Sequence, residues 1–200
     1  MRLFYSPASP FGRKVLVVLH ETGQLDQVEL SLASGTAMAP GTLPLTYNPL
    51  GKIPALERPD GSTIYDSRVI CRYLDDRAGG RFYPAAPRLW ETLTLEATAD
   101  GMMDAAVLMV YEYRLRPEDM VSPGYVEAQW AKIARALDAI EGRWLSHLAG
   151  PVDMGQIAVA CALGYLDLRF EARNWRHGHG ELAAWYVRFA ERPAMVATRP

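Results

Sequence analysis

Two serines, each followed directly by a proline, lie in the segment YSPASPFGRK at residues 5–14. A serine before a proline is typical of a helix start, because the hydroxyl accepts from the first N–H groups and proline suits the first turn. A hydroxyl can also donate its own proton while it accepts a hydrogen bond. Ser9 is therefore a candidate helix cap, a candidate substrate-binding group, or both, and Ser6 is the alternative for the second role.

The residues around these serines predict a small α/β layer within residues 1–78. The pattern favours a parallel βαβ unit followed by a hairpin and a helix. Pro59 and Gly61 predict the hairpin turn, with Gly61 in the left-handed conformation. In chain order, the predicted strand, helix, strand, two hairpin strands and helix lie at 3–5, 11–22, 28–32, 52–58, 62–65 and 67–76.

A second, all-helical part is predicted at residues 88–200. The segment 79–87 contains two glycines and two prolines and predicts a linker. Asp153 and Gln156 form a plausible capping pair for one of the later helices. The predicted helices lie at 89–115, 126–148, 153–170 and 181–192.

Composition excludes several classes of function. The chain of 200 residues has a net charge of −2 and no run of basic residues, so a nucleic-acid partner is not expected. Its apolar runs are too short for a membrane span. Cys71 and Cys161 lie far apart in apolar helical runs, which favours core positions and a cytoplasmic protein. His177 and His179 are too few for a metal site and predict an exposed loop, so no metal is expected.

Three motifs carry a family resemblance: SPF followed by a basic pair at 9–14, NPLGKIPAL at 48–56 and YDSRVICRYL at 65–74. A weaker fourth is DMGQIAVACALGYLDLR at 153–169. In this order and spacing they resemble the cytosolic glutathione S-transferases, in particular bacterial members of the serine type. The resemblance covers essentially the whole chain. It implies a thioredoxin-like, glutathione-binding N-terminal domain at 1–78 and an all-α C-terminal domain at 88–200.

The resemblance also implies roles for residues of the first domain. Ser9 would donate to the sulfur of glutathione and stabilise its thiolate. Pro54 would follow a cis peptide bond, which leaves the backbone of Ile53 to pair with the cysteinyl part of the tripeptide. The helix that Ser67 is expected to cap would receive the γ-glutamyl carboxylate. The remaining groups are Asp66 for the ammonium, Lys52 for the glycyl carboxylate and Arg13 for an anion.

The helical half would supply a pocket for the second substrate. Phe11 is a candidate wall beside Ser9, and a stripe in the helix at 89–115 is the other candidate, although such stripes are more often plain core. Asp100 would reach the glutathione of a neighbouring subunit. The stripe consists of Met103, Val107, Val110 and Tyr111.

The leading expectation is a homodimeric glutathione transferase that uses glutathione as co-substrate and attacks a small hydrophobic electrophile, as in detoxification. Two alternatives stay open. One is a glutathione-dependent disulfide reductase or peroxidase, which would use the same thiolate. The other is a non-catalytic glutathione-binding interaction protein, because a fold does not by itself establish an activity.

Overall fold

The computed structural model describes residues 1–200 and divides into two units. The first unit consists of Met1–Pro84 together with Arg192–Pro200, and the second of Ala85–Glu191. The sequence had suggested one helical domain over 88–200, but its last nine residues belong to the first unit. No helix is both long enough and apolar enough to cross a membrane.

The first unit contains a three-stranded mixed sheet. Its strands are β1 (Arg2–Tyr5), β2 (Glu29–Leu32) and β3 (Ala55–Glu57), in the spatial order β2-β1-β3. β1 pairs with β2 in parallel and with β3 in antiparallel orientation. The crossover from β1 to β2 is helix α1 (Pro10–Glu21), so the βαβ unit forms as the sequence predicts.

The predicted hairpin is only partly formed. Its second strand is reduced to one antiparallel bridge, in which Leu56 and Ile64 exchange two N–H···O bonds of 2.9 Å. Gly61 does not have a positive φ, so the expected left-handed turn is wrong. The Arg58 side chain spans the loop instead and donates to the carbonyl of Ser62 at 3.0 Å. A side chain, rather than glycine's freedom, therefore holds this turn.

Helices α1 and α2 (Ser67–Arg77) pack together in the first unit. Helix α1 ends before Gly23, whose φ of 64° is a conformation that glycine adopts at no steric cost. In α2 the residues Ile70, Cys71 and Leu74 are fully buried, whereas Val69 is exposed. Helix α2 therefore contributes these three residues to the apolar core of the first unit.

The second unit is built from helices. They are α3 (Arg88–Leu115), α4 (Pro123–Arg143), α5 (Leu145–Leu148), α6 (Met154–Phe170) and α7 (Gly180–Ala190). Asp153 caps α6 and accepts from the N–H of Gln156 at 3.2 Å, which is one half of the predicted capping pair. The other half does not form, because the Gln156 side chain donates to carbonyls of the preceding loop, such as that of Pro151 at 2.9 Å. His177 is exposed, but His179 is buried and contacts Asp138 at 3.0 Å, so the exposed loop predicted for both histidines is wrong for His179.

The last residues return to α1 of the first unit through helix α8 (Pro193–Ala197). Arg192 makes two hydrogen bonds of 2.9 Å to the carboxylate of Glu21. The buried guanidinium of Arg13 donates to the carbonyl of Met195 at 3.1 Å and contacts the Thr198 hydroxyl at 3.5 Å. These contacts explain why the C-terminal segment belongs to the first unit.

Candidate functional site

Three loop segments meet at the end of the sheet where β1 finishes. Phe4 lies opposite Ala55, so the residues before β3 lie beside the carboxyl end of β1. The bridge between Leu56 and Ile64 is antiparallel, and continuing its register places Asp66 beside Pro54. The starts of α1 and α2 and the approach to β3 therefore share this end of the sheet.

Ser9 occupies the N-cap of α1. Its backbone is extended, with φ −85° and ψ 119°, and its Oγ accepts from the N–H of Gly12 at 3.1 Å. No protein group accepts the proton of this hydroxyl. The N–H of Ser9 donates to the carbonyl of Ser6 at 3.0 Å, so Ser6 belongs to the preceding loop and does not cap the helix. Ser9 thus caps α1 while keeping one hydrogen bond to give.

The segment before β3 presents unpaired backbone. The Ile53–Pro54 peptide bond is cis, as the family resemblance implied. Neither the N–H nor the C=O of Ile53 makes a hydrogen bond within the chain, while its side chain packs near Phe4 and Ala55. Lys52 is exposed. This backbone can accept an extended peptide as an added strand.

The N-cap of α2 is Asp66, not Ser67 as the sequence suggested. The Asp66 carboxylate accepts from the N–H of Arg68 at 3.0 Å, and the Arg68 side chain pairs with it at 3.2 Å. Partial burial opposes ionisation, but the charge and hydrogen bonds of Arg68 and the N–H of Val69 outweigh it, so the pKa of Asp66 lies below its usual value. The acid is therefore held as an anion at the start of the helix.

Ser67 is the first residue of α2 and is buried. The N–H of a first helical residue has no partner within its helix. The hydroxyl of Ser67 also makes no hydrogen bond to another protein group. Ser67 thus offers two donors beside the Asp66 carboxylate, a combination that suits an amino-acid zwitterion.

Arg13 and Phe11, the two other predicted residues on α1, have different surroundings. Arg13 is buried against the C-terminal segment, where the carbonyl of Met195 holds its guanidinium, so we do not retain it as an anion site. Phe11 is half-buried next to Ser9 on α1. Structure and sequence agree that Arg13 and Phe11 lie on α1, but only Phe11 remains a candidate for ligand contact.

The predicted stripe on α3 divides between core and surface. Met103 is almost fully buried and belongs to the core, which is the plain reading that the sequence also allowed. Val107 and Val110 are half-buried, and Tyr111 is exposed. Asp100 is buried on the same helix, with 5% of its surface exposed. No group of three or more His, Cys, Asp or Glu residues is placed to hold a metal ion.

Family comparisons agree with this geometry. The model described as the glutathione S-transferase N-terminal domain matches residues 8–77, and the model of the C-terminal domain of the same family matches residues 123–188. The chain belongs to the glutathione S-transferase family. The predicted fold, a thioredoxin-like N-terminal domain followed by a helical domain, is thereby confirmed.

Individual glutathione S-transferases resemble the chain over its full length. It is 31% identical to the uncharacterized GST-like protein YibF of Escherichia coli, over all of this chain and 98% of that protein. A family member from Pseudomonas fluorescens Pf-5, solved with bound glutathione, has 47% identity and a TM-score of 0.97, over 100% of this chain and 98% of that one. A second structure from that organism holds S-(propanoic acid)-glutathione, with 46% identity and a TM-score of 0.91, over 100% and 99%.

Sequence reasoning missed one residue of the site's framework, Asn48. It is buried, with 2% of its surface exposed, and its side chain bonds to the backbone of Leu50 and Lys52. An asparagine that bonds to backbone two residues further on is a known turn pattern. The motif NPLGKIPAL contains this asparagine, but only Lys52, Ile53 and Pro54 of the motif were predicted as site residues.

Proposed function

We propose that this chain is a glutathione transferase in which the Ser9 hydroxyl donates a hydrogen bond to the sulfur of glutathione and stabilises its thiolate. The observation that carries the proposal is the hydroxyl itself. It lies at the start of α1, its lone pair receives the N–H of Gly12, and its proton has no protein acceptor. One serine can therefore cap the helix and bind the ligand at the same time.

The magnitudes support thiolate stabilisation without a separate base. A free thiol has a pKa of about 8.5, and lowering it by about two units takes about 2.7 kcal/mol. A hydrogen bond to a charged group contributes roughly 1.5–3 kcal/mol. The positive end of α1 adds about 0.3–1 kcal/mol, or up to ~2 kcal/mol when partly buried. The two contributions together reach the required preference.

The rest of the tripeptide is assigned to the neighbouring segments. The Ile53 backbone would pair with the cysteinyl part, and Lys52 would meet the glycyl carboxylate. The N–H and hydroxyl of Ser67 would bind the γ-glutamyl carboxylate, and Asp66 would face the ammonium. The relative from Pseudomonas fluorescens that binds glutathione supports this ligand for the present chain.

The proposed reaction forms a carbon–sulfur bond. The thiolate attacks an electrophilic carbon, a leaving group such as halide departs with its bonding electrons, and the thiol proton goes to solvent. The relative that holds S-(propanoic acid)-glutathione binds a glutathione with carbon on sulfur, which supports transfer as the proposed reaction. We further propose a cytoplasmic homodimer in which Asp100 approaches the partner's glutathione.

The test is the ultraviolet absorbance of the glutathione thiolate, followed as a function of pH in the complex. Ser9→Ala should raise the pKa of the bound thiol by about one to two units, since one charge-assisted hydrogen bond is lost. Ser9→Thr keeps a hydroxyl and a cap and should retain much of the effect. Ser6→Ala is the matched control in the same loop and should change nothing.

Other outcomes reassign the chemistry. An unchanged thiol pKa in Ser9→Ala contradicts the proposal, and a raised pKa in Ser6→Ala would move the role to that serine. Glutathione binding without any catalytic activity would favour the interaction-protein alternative, and failure of the wild-type protein to bind glutathione contradicts the proposal. A panel of electrophiles, disulfides and peroxides then separates transferase from reductase or peroxidase activity.

A further inference from the structure

Asn48 closes a tight turn shortly before Lys52 and Ile53, the residues proposed to bind glutathione. Its backbone N–H donates to the carbonyl of Pro44 at 2.7 Å, and its own carbonyl accepts from Gly51 at 2.9 Å. Its side-chain oxygen accepts from the N–H of Leu50 at 3.0 Å. Gly51 has a φ of 60°, which suits glycine and lets the chain reverse here. The buried side chain is therefore fixed by the turn that it closes.

The remaining side-chain bond of Asn48 acts on the peptide that precedes the ligand site. Its Nδ2 donates to the carbonyl of Lys52 at 2.9 Å. The Lys52–Ile53 peptide is trans, so its C=O and N–H point in opposite directions across one plane. Because the carbonyl points toward Asn48, the N–H of Ile53 points away from it. That N–H has no partner within the chain.

The residue before Asn48 gives the turn a fixed starting point. Tyr47 receives a hydrogen bond of 2.7 Å from the Arg2 guanidinium, which also bonds Glu57 of β3. The ring of Tyr47 lies 4.7 Å from the ring of Phe4 in β1. The turn is thus attached to the sheet, and the hydrogen bond from the Asn48 side chain connects the Lys52 carbonyl to this turn.

We propose that Asn48 is a positioning residue for glutathione: its side-chain amide fixes the Lys52–Ile53 peptide so that the Ile53 N–H faces the tripeptide. The inference rests on the proposed function, because it assumes that glutathione occupies this edge. Asn48 does not touch the sulfur and does not act on its ionisation. It acts on affinity, by sparing the ligand the cost of orienting a mobile peptide.

The decisive variant is Asn48→Asp. Aspartate keeps the oxygen that accepts from Leu50, but near neutral pH it sets a carboxylate against the Lys52 carbonyl, where Asn48 had a donor. The matched control is Thr42→Ala in the same connection. Thr42 accepts from the N–H of Ser34 at 3.0 Å and makes no bond to Lys52. Its loss therefore disturbs the loop without freeing the Lys52–Ile53 peptide group.

The affinity measurement uses S-methylglutathione and calorimetry, because this ligand has no thiol to ionise. Asn48→Asp should raise its Kd about tenfold, the scale of one lost hydrogen bond. Thr42→Ala should leave the Kd unchanged. The pKa of bound glutathione should stay at the wild-type value in Asn48→Asp, although a general collapse of the site would move it. An unchanged Kd in Asn48→Asp overturns the proposal.

A second measurement needs no variant and therefore survives a folding failure. Amide hydrogen exchange at Ile53 should be fast in the free protein and slowed at least about tenfold by glutathione. Protection of this amide before ligand is added, or no change on binding, overturns the proposal. The outcome for Ser9 is independent: Ser9→Ala can leave the thiol pKa unchanged while the Asn48 result stands, and the reverse also holds.

Discussion

The strongest stability prediction concerns Asp153 in the second unit. Its buried carboxylate, with 3% of the side chain exposed, receives donors from four directions. The Thr92 hydroxyl lies at 2.8 Å, His147 Nε2 at 2.7 Å and the Arg88 guanidinium at 3.3 Å, in addition to the N–H of Gln156. The residue therefore caps α6 and also joins it to α3 and α5.

Asp153→Ala should cost far more than an ordinary cap. Loss of a cap alone costs about 1 kcal/mol. Here the substitution also removes the carboxylate that contacts the Thr92 hydroxyl at 2.8 Å and His147 Nε2 at 2.7 Å. Each hydrogen bond to a charged group contributes roughly 1.5–3 kcal/mol, so the cap and these bonds together contribute about 3–5 kcal/mol. In a chain of this size each kcal/mol lowers Tm by about 2–4 °C, so the expected decrease is about 6–20 °C.

The assay is thermal unfolding followed by circular dichroism, repeated in denaturant. Ser122→Ala is the matched control, because Ser122 caps α4 through one exposed bond of 3.3 Å to the N–H of Tyr125. It should lower Tm by only a few degrees, about 1 kcal/mol or less. If Asp153→Ala lowers Tm no more than Ser122→Ala does, the buried network contributes nothing beyond capping and the reasoning is refuted.

Two further predictions concern the first unit. The depressed pKa of Asp66 means that its contribution to stability is complete above about pH 4 and is lost as pH falls through the lower folded value. Since the Asp66 side chain is 55% exposed, its contribution to stability should stay below about 1 kcal/mol. Asp66→Asn keeps a capping group but cannot ionise, so the variant should lose less stability than the wild type as pH falls, which denaturant titration at several pH values measures. Arg192→Ala should destabilise the unit by about 1–3 kcal/mol in denaturant titration, because Glu21 is left nearly buried with only the more exposed Arg81 at 3.3 Å. An effect no larger than that of Arg199→Ala, whose side chain is exposed, would contradict it.

Local signals predicted the parts of the fold that neighbouring residues determine. Ser9, Pro10 and Gly23 define both ends of α1, and Asp153 starts α6, because caps and stops act within a few residues. Contacts between distant parts of the chain lie outside such signals, and there the prediction failed: β3 pairs along its length with β1, whereas the strand at 62–65 is a single bridge. The same limit explains the C-terminal segment, whose place follows from contacts with residues nearly the whole chain away.

The candidate site shows the same division. The resemblance selected Ile53, Pro54 and Asp66, and the structure brings them to one end of the sheet with Ser9. The sequence placed the cap of α2 at Ser67 instead of Asp66, since both residue types cap helices well and only the backbone decides. Arg13 was misjudged for a related reason, because a charge in the sequence does not reveal the partner that buries it.

The return of residues 192–200 to the first unit bears on how the chain matures during synthesis. The first unit is encoded in two pieces, and the ribosome makes the whole second unit between them. Until residues 192–200 emerge, Glu21 lacks Arg192 and Arg13 lacks the Met195 carbonyl. The nascent N-terminal half should therefore reach its mature resistance to proteolysis only after the helices that interrupt it and residues 192–200 have been made.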